Sequence, residues 1–567
     1  MNTIYCTSII LAMMMLFSSN ISTAQDDRAV LIDLYKANPD SRLSWDISTK
    51  SIEDWKGVHI ENGRVTHLDV SRKEITSLPE SFGDLSALQS LNIRRNKLKS
   101  LPNSFDNLSA LTFLSIAKNQ LLVLPEGFGN LSALTSLDLE NNQLTTLPDS
   151  FGDLSSLTKL YLRKNQLTSL PDSIGNLAEL TILGLRDNQL AGLPDSFGNL
   201  SSLAVLGLES NQLTSLPESF GNLSSLIQLQ INYNQLTSLP DSFGNLSALT
   251  ILVLEGSNLA SIPSNQLSSL PENFGNLSLL KELYLKRNKL TSLPDSFGNL
   301  SSLEYLDLED NQLTSLPNNF GNLSSLVSLS LEKNSLAHLP DGIVNLNSLS
   351  YCNVGNNRLE SLPDSFGRLS SLTSLNLYSN ALQSLPDSFG NLSSLTGLSL
   401  GKNDILNLPN SFGNLSVLKE LNLRDNKLTN LPVGFGNLSA LTNLTLRGNQ
   451  LKGLPDSFGN LSSLEKVDVA SNQLLDLPEN FGNLTSLKRV DLFSNQIKVL
   501  PDIGNLSSLE VLILQANELT SLPKTIETFS TLTFLDVMNN PLDPLPPSLC
   551  AFLDSIRRVY IDSGVCK

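Results

Sequence analysis

The chain has 567 residues, of which 40% are apolar and 16% charged, and its formal net charge is −17. This acidic balance argues against nucleic acid and anionic membranes as partners, because both require clustered Lys and Arg. Three histidines and four cysteines offer little material for a metal centre or a His-based catalytic triad. We therefore expect no metal, no cofactor and no enzymatic activity.

Residues 1–25 are predicted to form a secretory signal peptide. They contain no charged side chain, a short apolar run extends from Ile9 to Phe17, and Ser22-Thr23-Ala24 gives a small-x-small cleavage pattern. The run is shorter than the roughly 20 residues of a transmembrane helix, and no later stretch approaches that length. The leader predicts a secreted or cell-surface protein without an integral membrane segment after it. The alternative is a cytoplasmic protein whose leader is not functional.

Residues 26–64 are predicted to cap the N-terminal end of a repeat array. Asp27 to Tyr35 has the pattern of an amphipathic helix, and Trp45 and Trp55 precede the first strand. Such an end must be covered, because stacked repeats otherwise expose their core to water.

From residue 65 to residue 543 the sequence repeats with a period of 23 residues, in about 21 units. One unit is represented by Leu157, Leu160, Leu162, Asn165, Leu167, Leu170 and Pro171. The Leu-x-Leu alternation predicts a short strand with one buried face, and such units must stack into a parallel sheet. Proline followed by an acidic residue and Phe-Gly predicts a short α or 3-10 turn on the opposite side. The fold class is therefore an α/β solenoid.

An asparagine follows the predicted strands where the chain turns inward, and only Lys73, in the first unit, and Ser257 depart from it. Its amide supplies both a donor and an acceptor, so a ladder of such residues can satisfy buried backbone groups. The predicted ladder includes Asn96, Asn119, Asn142, Asn165, Asn188, Asn211, Asn234 and Asn288. Ser257 stands in one of these slots and opens an irregular unit of 31 residues at 257–287. Its extra residues are either a binding loop or the product of repeat slippage.

Residues 544–567 are predicted to form the C-terminal cap. Cys550 and Cys566 flank it, and in an exported protein two cysteines at a chain end suggest a disulfide, with two free thiols as the alternative. Cys352 occupies a leucine slot and should point into the core as a small hydrophobe.

These repeats resemble the leucine-rich-repeat family over nearly the whole predicted mature chain, which implies a horseshoe with a concave parallel sheet. The segment around Trp55-Lys-Gly57-Val58 resembles the cap of plant-type receptors, although Glu53 and Ile60 stand where that family has a cysteine pair. We therefore expect this cap to hold by packing alone. The Leu-Pro-x-x-Phe-Gly-Asn-Leu half resembles a subgroup that includes Ras-binding scaffold proteins.

Residues between the strand leucines should point outward onto the concave face, where solenoids commonly bind partners. The predicted partner-binding residues are Arg94, Arg95, Lys118, Tyr161, Arg163, Tyr233, Tyr284, Lys286, Arg287, Tyr305, Asp307, Tyr351 and Tyr378.

Two functional hypotheses follow from this predicted binding face and from the family resemblance. The first is a secreted or cell-surface recognition or adhesion protein that binds a protein, peptide or glycan. The alternative, implied by the scaffold resemblance, is an intracellular signal-transduction scaffold that binds a small GTPase or another signalling protein.

Overall fold

The computed structural model describes residues 26–48, 51–259 and 261–566. The predicted signal peptide at 1–25 lies outside the described residues. The chain divides into two compact units, an N-terminal unit, Met1–Asn288, and a C-terminal unit, Lys289–Lys567. None of the helices in the described ranges combines the length and the apolar character that crossing a membrane requires.

The N-terminal unit begins with helix α1 at 26–37 and continues with strands that alternate with 3-10 helices. The strands are β1 Val58–Glu61, β2 Arg64–Asp69, β3 Ser90–Asn92, β4 Phe113–Ser115, β5 Ser136–Asp138, β6 Lys159–Tyr161, β7 Ile182–Gly184, β8 Val205–Gly207, β9 Gln228–Gln230, β10 Ile251–Val253 and β11 Glu282–Tyr284. The 3-10 helices are Glu80–Asp84, Asn103–Asn107, Glu126–Asn130, Asp149–Asp153, Asp172–Asn176, Asp195–Asn199, Glu218–Asn222, Asp241–Asn245 and Phe274–Asn276. β1 and β2 pair antiparallel, and β2 to β11 pair in parallel in chain order.

The C-terminal unit repeats this alternation and ends with helix α2 and one further strand. Its strands are β12 Tyr305–Asp307, β13 Ser328–Ser330, β14 Tyr351–Asn353, β15 Ser374–Asn376, β16 Gly397–Ser399, β17 Glu420–Asn422, β18 Asn443–Thr445, β19 Lys466–Asp468, β20 Arg489–Asp491, β21 Val511–Ile513, β22 Phe534–Asp536 and β23 Arg558–Tyr560, all paired in parallel in chain order. Its helices are the 3-10 helices Asp295–Asn299, Asn318–Asn322, Asp341–Asn345, Phe366–Arg368, Asp387–Asn391, Asn410–Asn414, Val433–Asn437, Asp456–Asn460, Glu479–Asn483 and Lys524–Thr528, and α2 Pro547–Ser555.

Most strands bury their central residue and leave its two neighbours at least partly exposed, as the alternation predicts. In β6 the central Leu160 is fully buried between Lys159 and Tyr161, and it lies in register with Leu183 of β7. Burial of one leucine contributes about 1.5–3 kcal/mol, and the same position is apolar in strand after strand. The predicted solenoid of parallel strands and short 3-10 turns is confirmed.

The phenylalanines of the 3-10 helices form an internal aromatic column. Phe82 and Phe105 stack with ring centroids 6.2 Å apart and planes within 2°, and both rings are fully buried. Ile174 fills the same position in one repeat and is also fully buried. The column therefore packs the side of each repeat opposite its strand.

The asparagines satisfy the backbone of the turns that follow the strands. The Oδ1 of Asn165 accepts the N–H of Leu144 at 3.1 Å, while its Nδ2 donates to the carbonyls of Leu139 and Leu162 at 3.0 and 2.9 Å. Asn165 is 7% exposed. Each asparagine thus bonds both to its own repeat and to the repeat before it. The remaining predicted ladder positions are also buried, at Asn96, Asn119, Asn142, Asn188, Asn211, Asn234 and Asn288.

The assignment of Ser257 to the ladder is wrong. The slot after Asn234 is filled by Asn265, which accepts the N–H of Leu236 at 3.1 Å and donates to the carbonyl of Ile231 at 3.0 Å. The longer spacing therefore lies between Asn234 and Asn265, and Ser257 belongs to a segment inserted after β10. A serine side chain offers fewer hydrogen bonds than an amide. The inserted residues bring an asparagine, Asn265, into the ladder slot instead.

The N-terminal cap does not hold by packing alone, contrary to the expectation from its missing cysteines. The Asp27 carboxylate is 1% exposed and accepts bonds from Arg64 Nε at 2.9 Å and from the N–H of Val65 at 2.8 Å. Asn38, 3% exposed, accepts the N–H of Thr76 at 2.7 Å and donates to the carbonyl of Ser77 at 2.9 Å. These two polar side chains join α1 to the first repeat.

The predicted disulfide at the C-terminal cap is confirmed. Cys550 in α2 is bonded to Cys566, at a sequence separation of 16. The N–H of Leu545 also donates to the carbonyl of Val565 at 2.9 Å. The end of the chain is therefore fastened against α2.

Replacing Asn188 with alanine should destabilise the N-terminal unit by about 1–3 kcal/mol. The substitution removes the acceptor for Leu167 N–H and the donor for the carbonyls of Leu162 and Leu185. Urea unfolding measures the loss. Asn199→Ala is the matched control, because Asn199 is exposed at the end of its 3-10 helix, and its cost should stay within about 0.5 kcal/mol. Equal costs in the two variants would contradict a specific role for the ladder.

Candidate ligand-binding face

The outward side chains of the strands, together with the two turn residues that precede each ladder asparagine, form what we call the strand face. The turns are hydrogen-bonded from one repeat to the next through their backbones. The N–H of Lys118 donates to the carbonyl of Glu140 at 2.7 Å, and the N–H of Lys164 donates to the carbonyl of Arg186 at 2.9 Å. Lys118 and Lys164 both have left-handed backbones, with φ of 59° and 57°. Side chains at equivalent positions therefore stand in rows across successive repeats.

A basic pocket lies on the strand face of the N-terminal unit. It has a volume of about 250 Å³ and is lined by Arg94, Lys118, Glu140, Asn141, Arg163 and Lys164. Four cations thus surround a single carboxylate. Among the described residues, neither Lys118 nor Lys164 forms an ion pair, and Arg94 has a buried Nε without a hydrogen-bond partner. Arg163 pairs with Asp187, with Nε and Oδ2 3.4 Å apart, but the two lysines and the Nε of Arg94 are not paired by the protein, so the pocket can accept an anionic group.

In the two repeats that follow this pocket, glycines replace larger side chains on the strand face. Gly184 and Gly207 occupy outward strand positions in β7 and β8. The Glu209 carboxylate folds over Gly207, where its Oε2 lies 2.9 Å from the position that a Cβ would take. Glu209 is 8% exposed, and its Oε2 is buried without a hydrogen-bond partner. Burial raises the pKa of Glu209, although the nearby Arg186 opposes the shift.

The C-terminal unit carries a groove of about 400 Å³ with few charged groups across β15 to β18. It is lined largely by small polar side chains and glycine, with one carboxylate, from Ser374, Leu375, Asn376, Gly397, Leu398, Ser399, Glu420, Leu421, Asn422, Asn443 and Thr445. Amides and hydroxyls of this kind can bond to the backbone of a peptide or to the hydroxyls of a sugar.

Tyr378 stands near this groove between two cations. Its ring centroid lies 5.5 Å from Lys402 Nζ and 5.3 Å from Arg424 Cζ. Burial acts to raise the pKa of Tyr378, but hydrogen bonds from Lys402 and Arg424 hold it below its ordinary value. Tyr378 is thus engaged within the chain.

The structure divides the predicted partner-binding residues between strands and turns. Tyr161, Tyr284, Tyr305, Asp307 and Tyr351 lie in strands. Arg94, Arg95, Lys118, Arg163, Tyr233, Lys286, Arg287 and Tyr378 lie in the turns after strands. Only Arg94, Lys118 and Arg163 come together in the basic pocket.

Two of the residues that the sequence singled out are buried. Asp307 is not an open surface group, since it is 8% exposed and its carboxylate turns back to accept the N–H of Glu309 at 2.9 Å. Cys352 points into the core as expected, and burial raises the pKa of its thiol to about 12. The thiol is therefore protonated and unreactive at neutral pH.

Sequence reasoning placed Lys164 on the basic part of this face but missed Glu140 and Asn141 in the pocket, and also Glu209. Glu140 and Asn141 belong to the same two rows as Arg94 and Lys118, so alignment of the repeats by their turns could have found them. For Glu209 the available signal was its position next to two glycines in outward strand slots.

The repeat pattern is matched by known family models. The one described as "Leucine-rich repeat region" matches residues 62–142, 106–183, 172–270, 253–354 and 403–512, and "Leucine rich repeat" matches residues 352–405. No curated protein matches the chain.

Solved structures similar to the chain include two plant receptors and one bacterial protein. The plant peptide hormone receptor RGFR1, in complex with RGF2, is 29% identical, with 88% of this chain and 85% of that chain covered and a TM-score of 0.66. The Arabidopsis receptor kinase HAESA, in complex with the peptide hormone IDA and the co-receptor SERK1, is 27% identical, with 95% and 99% covered and a TM-score of 0.62. A leucine-rich-repeat protein of Leptospira interrogans is 32% identical, with 71% and 95% covered and a TM-score of 0.54.

Replacing Glu209 with glutamine should stabilise the N-terminal unit at pH 7. Burial raises the pKa of Glu209 in the folded state, so ionisation of its carboxyl group destabilises the fold at pH values above the pKa of a glutamate in the unfolded chain, which is about 4. Below that pH the group is protonated in both states and has no such effect. The gain in urea stability should therefore shrink as the pH falls. The exposed Glu179→Gln is the control and should change little at either pH. Destabilisation by Glu209→Gln at pH 7 would show instead that the protein holds the charged form favourably.

Proposed function

Because the chain belongs to the leucine-rich-repeat family, we propose that it is a secreted or cell-surface recognition protein that binds a peptide or protein segment on its strand face. An acidic group of that ligand occupies the basic pocket of the N-terminal unit. The protein acts by binding and carries out no reaction.

The basic pocket carries this proposal. In a chain with a net charge of −17, four cations around one carboxylate form a local positive site. Arginine and lysine make charge-assisted hydrogen bonds to carboxylates, and each is worth about 1.5–3 kcal/mol. A peptide offers such a group in an acidic side chain or in its C-terminal carboxylate.

The similar structures support a peptide as the ligand class. Two of them, RGFR1 and HAESA, are described as receptors in complex with RGF2 and with the peptide hormone IDA, and they cover most of this chain at 27–29% identity. The strand face offers an extended peptide a row of outward side chains at each repeat.

An extracellular location is supported by the Cys550–Cys566 disulfide, since such bonds persist in oxidising compartments and are rare in the cytosol. If the leader is cleaved, the N-terminus of the protein recovered from the secreted fraction should lie near Gln25 or Asp26. Recovery of the intact Met1 terminus from the cytosol alone would favour the intracellular scaffold.

Selection from a displayed library of random peptides tests the binding role. We expect enrichment of peptides that carry an acidic residue or a free C-terminal carboxylate. Their affinity should fall more than about 10-fold in the Lys118→Ala/Lys164→Ala variant, because each lost charge-assisted bond is worth 1.5 kcal/mol or more.

The control is Lys36→Ala/Lys99→Ala, which removes the same charge from two exposed lysines that do not line the pocket. Binding to this variant should remain within about twofold of the unsubstituted protein. Failure to enrich any peptide, or equal loss of binding in both variants, would contradict the proposal.

A further inference from the structure

Two of the three histidines in the chain lie side by side on one hairpin. β1 and β2 pair antiparallel with His59 directly opposite His67, and Glu61 follows His59 by two residues on the same side of β1. One ligand atom from each of these three side chains lies within 4.8 Å of the others, and all three residues are exposed. The sequence spacing alone gave no sign of this cluster, because the hairpin creates it.

The distances within the cluster are close to those of a metal-binding site. His59 Nε2 and Glu61 Oε1 are 3.3 Å apart. Two ligands of a tetrahedral zinc ion, each about 2.0–2.2 Å from the metal, are separated by roughly the same distance. The His59 and His67 ring centroids are 5.3 Å apart, so small rotations of exposed side chains would complete the set.

A neighbouring residue also orients one of the imidazoles. His67 Nδ1 lies 3.0 Å from the Oγ1 of Thr66, which is 4% exposed and therefore fixed in position. A hydrogen bond at one ring nitrogen leaves the other available as a metal ligand, which is how protein zinc sites orient their histidines. In His67 the available atom is Nε2.

We propose that His59, Glu61 and His67 bind a divalent transition metal of the zinc class. Two imidazoles and one carboxylate are a donor set that zinc takes in proteins, and three protein ligands leave a fourth position to water. The metal would join β1 to β2 and so fasten the N-terminal cap. This inference does not depend on the proposed peptide ligand.

Titration of the full-length chain with Zn²⁺ alone tests the site, with the binding heat measured by isothermal titration calorimetry. All proteins carry Cys6→Ser, which removes a thiol outside the described residues. We expect one ion per chain, and a loss of affinity greater than about 10-fold in His59→Ala and in His67→Ala. Glu61→Gln should weaken binding as well.

The third histidine supplies a matched control. His338 is exposed and lies in the C-terminal unit, so His338→Ala should bind Zn²⁺ like the parent protein. Substitution of Co²⁺ gives a second readout, since a visible absorption band of tetrahedral intensity should appear in the parent and in His338→Ala but not in His67→Ala. The proposal is overturned if no ion binds at micromolar Zn²⁺, or if binding is equal in His67→Ala and His338→Ala.

Discussion

The whole array depends on how the buried turns after the strands satisfy their backbone groups. Each turn places N–H and carbonyl groups in the interior, where an unpaired group costs about 1–3 kcal/mol. One asparagine side chain forms hydrogen bonds with the buried backbone groups of two repeats, as Asn165 does with Leu144, Leu139 and Leu162. No repeat is satisfied alone, so the repeats stack. In the irregular segment the chain adds residues but still brings Asn265 into the ladder.

The same ladder explains why the surface is free to vary. The leucines and asparagines are buried in repeat after repeat, while the side chains at the outward strand positions and in the turns differ from one repeat to the next. Cations can therefore gather at Lys118 and Lys164, and glycines can open a recess at β7 and β8, without disturbing the core. Glu209 shows the limit of this freedom, because it is buried beside that recess and burial raises the pKa of its carboxyl group.

The period and the alternation were enough to predict the strands, the short 3-10 turns and the asparagine ladder, since each of these features recurs at a fixed spacing. The departures involve contacts that do not recur. Asp27 is hydrogen-bonded to Arg64, and Asn38 to Thr76, although each pair is more than thirty residues apart in sequence. No repeating sequence pattern predicts these contacts. Ser257 lies one period after Asn234 and Asn265 lies one period before Asn288, so the spacing could not tell which of them fills the slot. His59 meets His67 only because β1 folds back on β2.

Amide hydrogen exchange on the unsubstituted chain tests the role of the ladder most directly. The N–H groups of Leu144, Leu167 and Leu190 lie outside the strands, and each donates to the Oδ1 of an asparagine in the next repeat. If the ladder holds the array together, these amides exchange as slowly as those of the neighbouring strands. Exchange as fast as in the inserted segment at residues 257–259 would contradict the account.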